Sequence, residues 1–136
     1  MRICAVMVTA LALCLSGCGG AQVKDAQQCA DGFLKSFEIG DMQGMYQLLS
    51  DGSKAVMSYD QFRTAHLTVL NRLGTLLDWK RTGFSPVPDT GNAIFLATYD
   101  CNFGNYKAVI QLKVRKQGKV WTLVGYNYQS EGLRGL

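Results

Sequence analysis

The feature that most constrains this chain is a change of hydrophobic period at Gly74. Upstream of it, apolar residues recur at steps of three and four; downstream they alternate. Ala26, Cys29, Ala30, Phe33, Leu34 and Phe37 share one helical stripe, and so do Phe62, Ala65, His66, Val69, Leu70 and Leu73. Between the two, Gly40-Asp41 breaks the pattern, and Asp41 is placed to cap a shorter helix carrying Met42, Met45, Tyr46, Leu48 and Leu49. Ser50-Asp51-Gly52 is expected to be a turn. Ser58 and Gln61 have the spacing of a capping box at the start of the third helix, and Gly74 is its natural stop.

After Gly74 the spacing predicts four strands, about Leu76 to Phe84, Ala93 to Asn102, Tyr106 to Arg115 and Lys119 to Tyr128. Short connections rich in turn residues (Pro86 to Asn92, Asn102-Phe103-Gly104-Asn105, Lys116-Gln117-Gly118) imply an antiparallel meander. In the third strand Tyr106, Ala108, Ile110, Leu112 and Val114 share a face expected to be buried, opposite Lys107, Gln111, Lys113 and Arg115. Gly83 and Gly125 inside strands predict bulges or bends. The expected fold class is α+β: three helices packed on a strongly curved four-stranded antiparallel meander.

Ahead of this domain the chain opens Met1-Arg2 and continues as an uncharged run from Ile3 to Leu15. That run is shorter than the roughly 20 apolar residues needed to span a bilayer, so a cleaved export signal is expected over 1–17. Leu15-Ser16-Gly17-Cys18 resembles the lipobox of bacterial lipoproteins at all four positions. The resemblance implies a diacylglyceryl group on Cys18, cleavage before it, and often acylation of the new amine. Gly19, where an inner-membrane retention signal would have Asp, implies sorting to the periplasmic face of the outer membrane in a Gram-negative cell. A lipidated Cys18 with a short tether to residue 24, a domain over 25–130 and a polar tail over 131–136 complete the expected organisation.

The remaining chain is the right length for a single core. The fourteen basic side chains of the full sequence, thirteen once Arg2 is removed, against ten acidic ones are too mild an excess to argue for nucleic acid as a partner. Five cysteines reduce to Cys29 and Cys101 once Cys4, Cys14 and Cys18 are assigned. Two readings stay open: a disulfide favoured by an oxidising compartment, or two separate buried thiols.

Phe37-Glu38-Ile39-Gly40-Asp41, Arg72-Leu73-Gly74, Tyr99 through Asn102 and the ending Gly118 through Tyr126 carry a further resemblance. They are similar to exported bacterial proteins of unknown function in the nuclear transport factor 2-like superfamily, over roughly Ala26 to Gln129. That implies a cone whose open end often forms a pocket. Enzymes of this fold, isomerases and dehydratases, use a carboxylate or histidine with tyrosine or acid partners. The candidate groups here are His66, Asp78, Tyr99, Asp100, Tyr126 and Tyr128, although no enzyme motif transfers to them residue by residue.

The lone His66 and two distant cysteines argue against a metal, and neither a phosphate-cradling glycine loop nor a serine elbow is present, so no cofactor is expected. Lys113, Arg115, Lys116 and Lys119 surround the last hairpin and are candidate contacts for anionic lipid headgroups, set against a solvated hairpin that discourages edge pairing. The expected role is a non-enzymatic, envelope-anchored binding or accessory domain, its partner other envelope proteins, a small apolar ligand or a second copy of itself. The alternative is an enzyme of the isomerase or dehydratase kind, favoured by a deep pocket and opposed by one plugged with Trp79, Phe84 or Tyr128.

Overall fold

The computed structural model describes residues 22–88 and 93–135, and in them four α-helices precede one antiparallel sheet. The expected signal segment, Cys18 and residues 89–92 of the first hairpin lie outside the described residues. Helix α1 covers 22–38, so residues 22–24 of the expected tether are helical. All six of its stripe residues, Ala26 through Phe37, are buried. Helix α2, Met42–Gln47, opens at Asp41, whose side chain accepts from the Gly44 amide at 2.9 Å.

The expected turn at Ser50-Asp51-Gly52 is instead the start of a helix, α3, Asp51–Val56. It buries none of its own residues, so it carries no apolar period to read. Its Ser50 cap and its attachment to the sheet hold it: Ser50 N–H donates to the Leu123 carbonyl and Leu123 N–H donates to the Leu48 carbonyl, both at 2.8 Å. Helix α4, Tyr59–Leu73, carries the expected capping box, with Ser58 and Gln61 each accepting the other's backbone N–H. Its buried residues are Phe62, His66 and Leu73, whereas Ala65 faces solvent. Gly74 ends it at φ +87°, a conformation side chains rarely adopt, and a Cβ there would crowd the Asn105 nitrogen at 3.1 Å.

Strands β1 (Leu76–Pro86), β2 (Ile94–Phe103), β3 (Lys107–Gln117) and β4 (Val120–Gln129) lie in sequence order as a meander. The inner face carries buried Tyr99, Cys101 and Phe103 from β2, Ala108, Ile110, Leu112 and Val114 from β3, and Trp121 and Leu123 from β4. Tyr106 departs from the expected alternation. It precedes β3, is 44% exposed, and lays its ring on Gly132. Register shifts fall beside both strand glycines, between Arg81 and Gly83 and opposite Lys113/Val114 where Gly125 and Leu123 pair, and a third occurs between Leu76 and Asp78. Each extra residue bends its strand and increases the local twist.

Successive residues of α1 meet successive residues of β4. The Cys29 thiol donates to the Trp121 carbonyl at 3.4 Å, Phe33 stacks on Tyr126 with centroids 6.1 Å apart, and Phe37 meets Tyr128 edge-on. The two elements therefore run in the same direction, and α1 covers the inner face. Burying each large side chain in this layer contributes about 1.5–3 kcal/mol relative to leaving it in water. The chain end, expected as a polar tail, is tied down by a 3-10 turn, Glu131–Leu133, in which Gly132 is buried.

Candidate functional site

Three of the sequence candidates meet on the inner face. Helix α4 presents His66 toward β4, and the bulge next to Gly125 turns Tyr126 and Tyr128, neighbours on one strand face with centroids 5.5 Å apart, to the inner face. His66 is 1% exposed, and its ring is enclosed by Phe33, Phe37, Phe62, Tyr126 and Tyr128 at centroid distances of 4.1 to 6.2 Å. The imidazole has two partners. Nδ1 lies 3.0 Å from the Phe62 carbonyl, which can only accept, so this nitrogen carries the proton. Nε2 is then the acceptor and receives the Tyr128 hydroxyl at 2.6 Å.

Both members of this pair are held neutral. Burial lowers the His66 pKa from 6.5 to about 4, partly opposed by the Phe62 carbonyl. Burial likewise raises the Tyr128 hydroxyl well above its ordinary 10, with Tyr126 and Cys101 adding to the effect. Tyr126 is raised in the same direction by burial. Its hydroxyl points to the Met57 sulfur at 3.6 Å and borders a cleft of about 350 Å³ with Leu49, Val56 and Val124. A base near pH 7 needs a pKa close to that value and a free lone pair; His66 has neither.

Tyr99 lies apart from this group, toward the β1 edge. It is fully buried, and its hydroxyl donates to Asp31 Oδ1 at 2.7 Å. Burial raises its pKa, and the hydrogen bond to Asp31 raises it further. Arg81 Nη1 completes the constellation, donating to Asp31 Oδ1 and Oδ2 at 2.8 and 2.7 Å. Trp79 packs edge-on to Tyr99 and donates through Nε1 to Glu38 at 2.8 Å. Sequence reasoning missed Asp31, Glu38 and Arg81. The one available signal was Arg81 itself: counting the residue skipped at the Thr82 bulge puts it on the inner face, which strict alternation from Gly83 does not.

Asp78 and Asp100 take no part in either group. Both are exposed on the outer face, where Asp78 accepts from Asn102 at 2.6 Å and Asp100 lines a depression of about 520 Å³ with Lys107, Gln129 and Glu131. Trp79 covers Tyr99, Phe84 stacks on Phe95, and Tyr128 closes on His66. Aromatic rings thus pack against one another around Tyr99, Phe95 and His66.

Cys29 and Cys101 are free, buried thiols, so the disulfide alternative is not realised in this structure. The two sulfurs have separate partners: Cys29 donates to Trp121 across to β4, and Cys101 lies 4.0 Å from the Tyr99 carbonyl of its own strand. Burial pushes the thiols up to about 11 and about 12, the second aided by Asp100 and Asp78, which makes both poor nucleophiles. Among the described residues no group of three or more His, Cys, Asp or Glu side chains converges on a metal position. Lys113, Lys116 and Lys119 are exposed at the β3–β4 hairpin and Arg115 is partly so. No helix among the described residues is long and apolar enough to cross a membrane. No protein-family model matches the chain, and no curated protein matches it in sequence.

Proposed function

We propose that this protein is an exported bacterial lipoprotein, acylated on Cys18, whose folded part is a non-enzymatic binding or accessory domain of the cell envelope. The anchor rests on a short charged start, an apolar run of sub-membrane length and Leu15-Ser16-Gly17-Cys18 directly after it. Two or three acyl chains on one residue attach firmly, since each buried methylene contributes about 0.8 kcal/mol. With Gly19 after the cysteine, the destination in a Gram-negative cell is the periplasmic face of the outer membrane.

The domain is read as nuclear transport factor 2-like. Helices before a sequential meander, and strand bulges at Thr82 and Val124, support that reading. The observation that carries the non-enzymatic role is the filled inner face. An isomerase or dehydratase needs an open chamber and at least two converging ionisable groups free to exchange protons. Here His66 and Tyr128 satisfy each other inside a shell of rings. The domain therefore acts through its surfaces, on other envelope proteins, a small apolar ligand or a second copy.

Metabolic labelling with a fatty acid, followed by mass analysis of the amino-terminal peptide, tests the anchor. Cys18 is expected to carry the label and Cys18→Ser to lose it together with membrane partition; a labelled serine variant would refute the anchor. Crosslinking of the native lipoprotein in its own envelope tests the role. A discrete crosslinked species that Cys18→Ser abolishes supports an anchored binding domain, and recovery of monomer alone counts against it.

A further inference from the structure

The fold brings the start of α1 and the β3–β4 turn to one pole of the molecule. Cys29 is level with Trp121, and α1 runs in the direction of β4, so residue 22 lies seven residues, about 10 Å, beyond that level. From Trp121 the strand extends back three residues to Gly118, about 10 Å in the same direction. The start of α1 and the β3–β4 turn thus reach the same height. Cys18 is only four residues before residue 22, a span of at most ~14 Å even when fully extended.

The side chains at this pole have the chemistry of a bilayer surface. Lys116 and Lys119 are exposed, Arg115 is partly exposed one pair below Trp121, and Lys24 extends the basic surface from the first turn of α1, whereas Lys113 pairs with Gly125 and stands about 10 Å below the Trp121 level. Two exposed apolar residues lie among them, Val120 at 63% and Val23 at 37%. The acidic groups described at this end are Asp25 and Asp51, and the Gln117 amide donates to Asp51 at 2.6 Å. None of the four hairpin bases takes part in a salt bridge among the described residues.

We infer that this pole is a second membrane contact, in which Arg115, Lys116 and Lys119 bind anionic phospholipid headgroups of the bilayer that holds the Cys18 anchor. The inference rests on the anchor proposed above. The acyl chains hold the domain at the surface, and the hairpin sets its orientation: inner-face rings and the Glu131 end point away, while Val120 enters the headgroup layer. Each base near an anionic surface strengthens attachment roughly fivefold, and the attraction is screened by salt.

The test uses the full lipidated protein with Val120→Cys carrying an environment-sensitive fluorophore, the buried Cys29 and Cys101 being protected from the label. It is reconstituted in vesicles of phosphatidylcholine alone and of phosphatidylcholine with phosphatidylglycerol. Expected on the anionic vesicles are a blue shift and protection from a soluble quencher, both lost at about 1 M salt where the screening length is about 3 Å. The variant Arg115→Gln/Lys116→Gln/Lys119→Gln, checked for an unchanged melting curve, is expected to lose the shift while still floating with the vesicles, and Lys113→Gln alone to keep it. Equal spectra on the two vesicle types, with the protein floating on both, overturn the inference and leave the anchor intact. Failure to float on phosphatidylcholine overturns the anchor itself. An equal shift produced by soluble polyphosphate without vesicles makes the hairpin a general polyanion site and overturns the membrane assignment.

Discussion

Acid should unfold this domain through His66, and the size of the effect follows from its burial. In the unfolded chain the imidazole takes up a proton near pH 6.5; in the folded chain burial delays this to about pH 4. Between those values the unfolded state binds more protons, so stability falls as the pH falls. The contribution is whole above pH 6.5, declines through the interval and is gone below about pH 4. A lowering of this extent corresponds to roughly 3 kcal/mol, a large share of the 5–15 kcal/mol typical of a folded domain.

Urea unfolding of the native protein and of His66→Gln over pH 4 to 7 reads this directly, because titration of the carboxylates is common to both. The stability difference between the two proteins is expected to shrink by roughly 3 kcal/mol over that range. A difference constant within about 0.5 kcal/mol would refute the reasoning. His66 is the chain's single histidine, so its imidazole also gives one titrating proton resonance. A midpoint near 4 is expected, and a midpoint near 6.5 would show an open, solvated ring.

Asp31→Ala removes the acceptor shared by the buried Tyr99 hydroxyl and Arg81, and is expected to cost about 2–4 kcal/mol. Adding Tyr99→Phe should recover about 1 kcal/mol of that loss, since the orphaned donor goes with its partner; additive losses in a denaturant double-mutant cycle would argue against the shared hydrogen bonds. Gly74→Ala forces a side chain onto φ +87° and into the Asn105 backbone, so a loss of more than about 1 kcal/mol in thermal or urea unfolding is expected. With an alkylating reagent and no reductant, Cys29 and Cys101 should both be modified in denaturant and neither in the folded protein; an unmodified pair in denaturant would reveal a bridge.

Much of the fold was legible in residues 26–74 and 94–129 because local rules and tertiary burial agree there. The stripe of α1, the Ser58–Gln61 box, the stop at Gly74 and the alternation of β3 from Ala108 each report one face against one core. Helix α3 was not legible. It buries nothing of its own and contains Gly52, so what makes it a helix is the Ser50 cap and the anchoring of Ser50 to Leu123, distant in sequence.

The candidate site divides in the same way. Composition and spacing by themselves determined that His66 lies on an apolar stripe, that the chain has α+β order, and that Cys18 follows a short apolar run. Only the tertiary structure decided that Tyr128 meets His66, that the bulge at Thr82 puts Arg81 on the inner face to reach Asp31, and that α1 runs in the direction of β4. Those relations join residues 62 and 50 positions apart, or elements from opposite ends of the domain. Local periodicity carries the face a residue presents, whereas its partner depends on strand register and helix direction, which are set when the whole core packs.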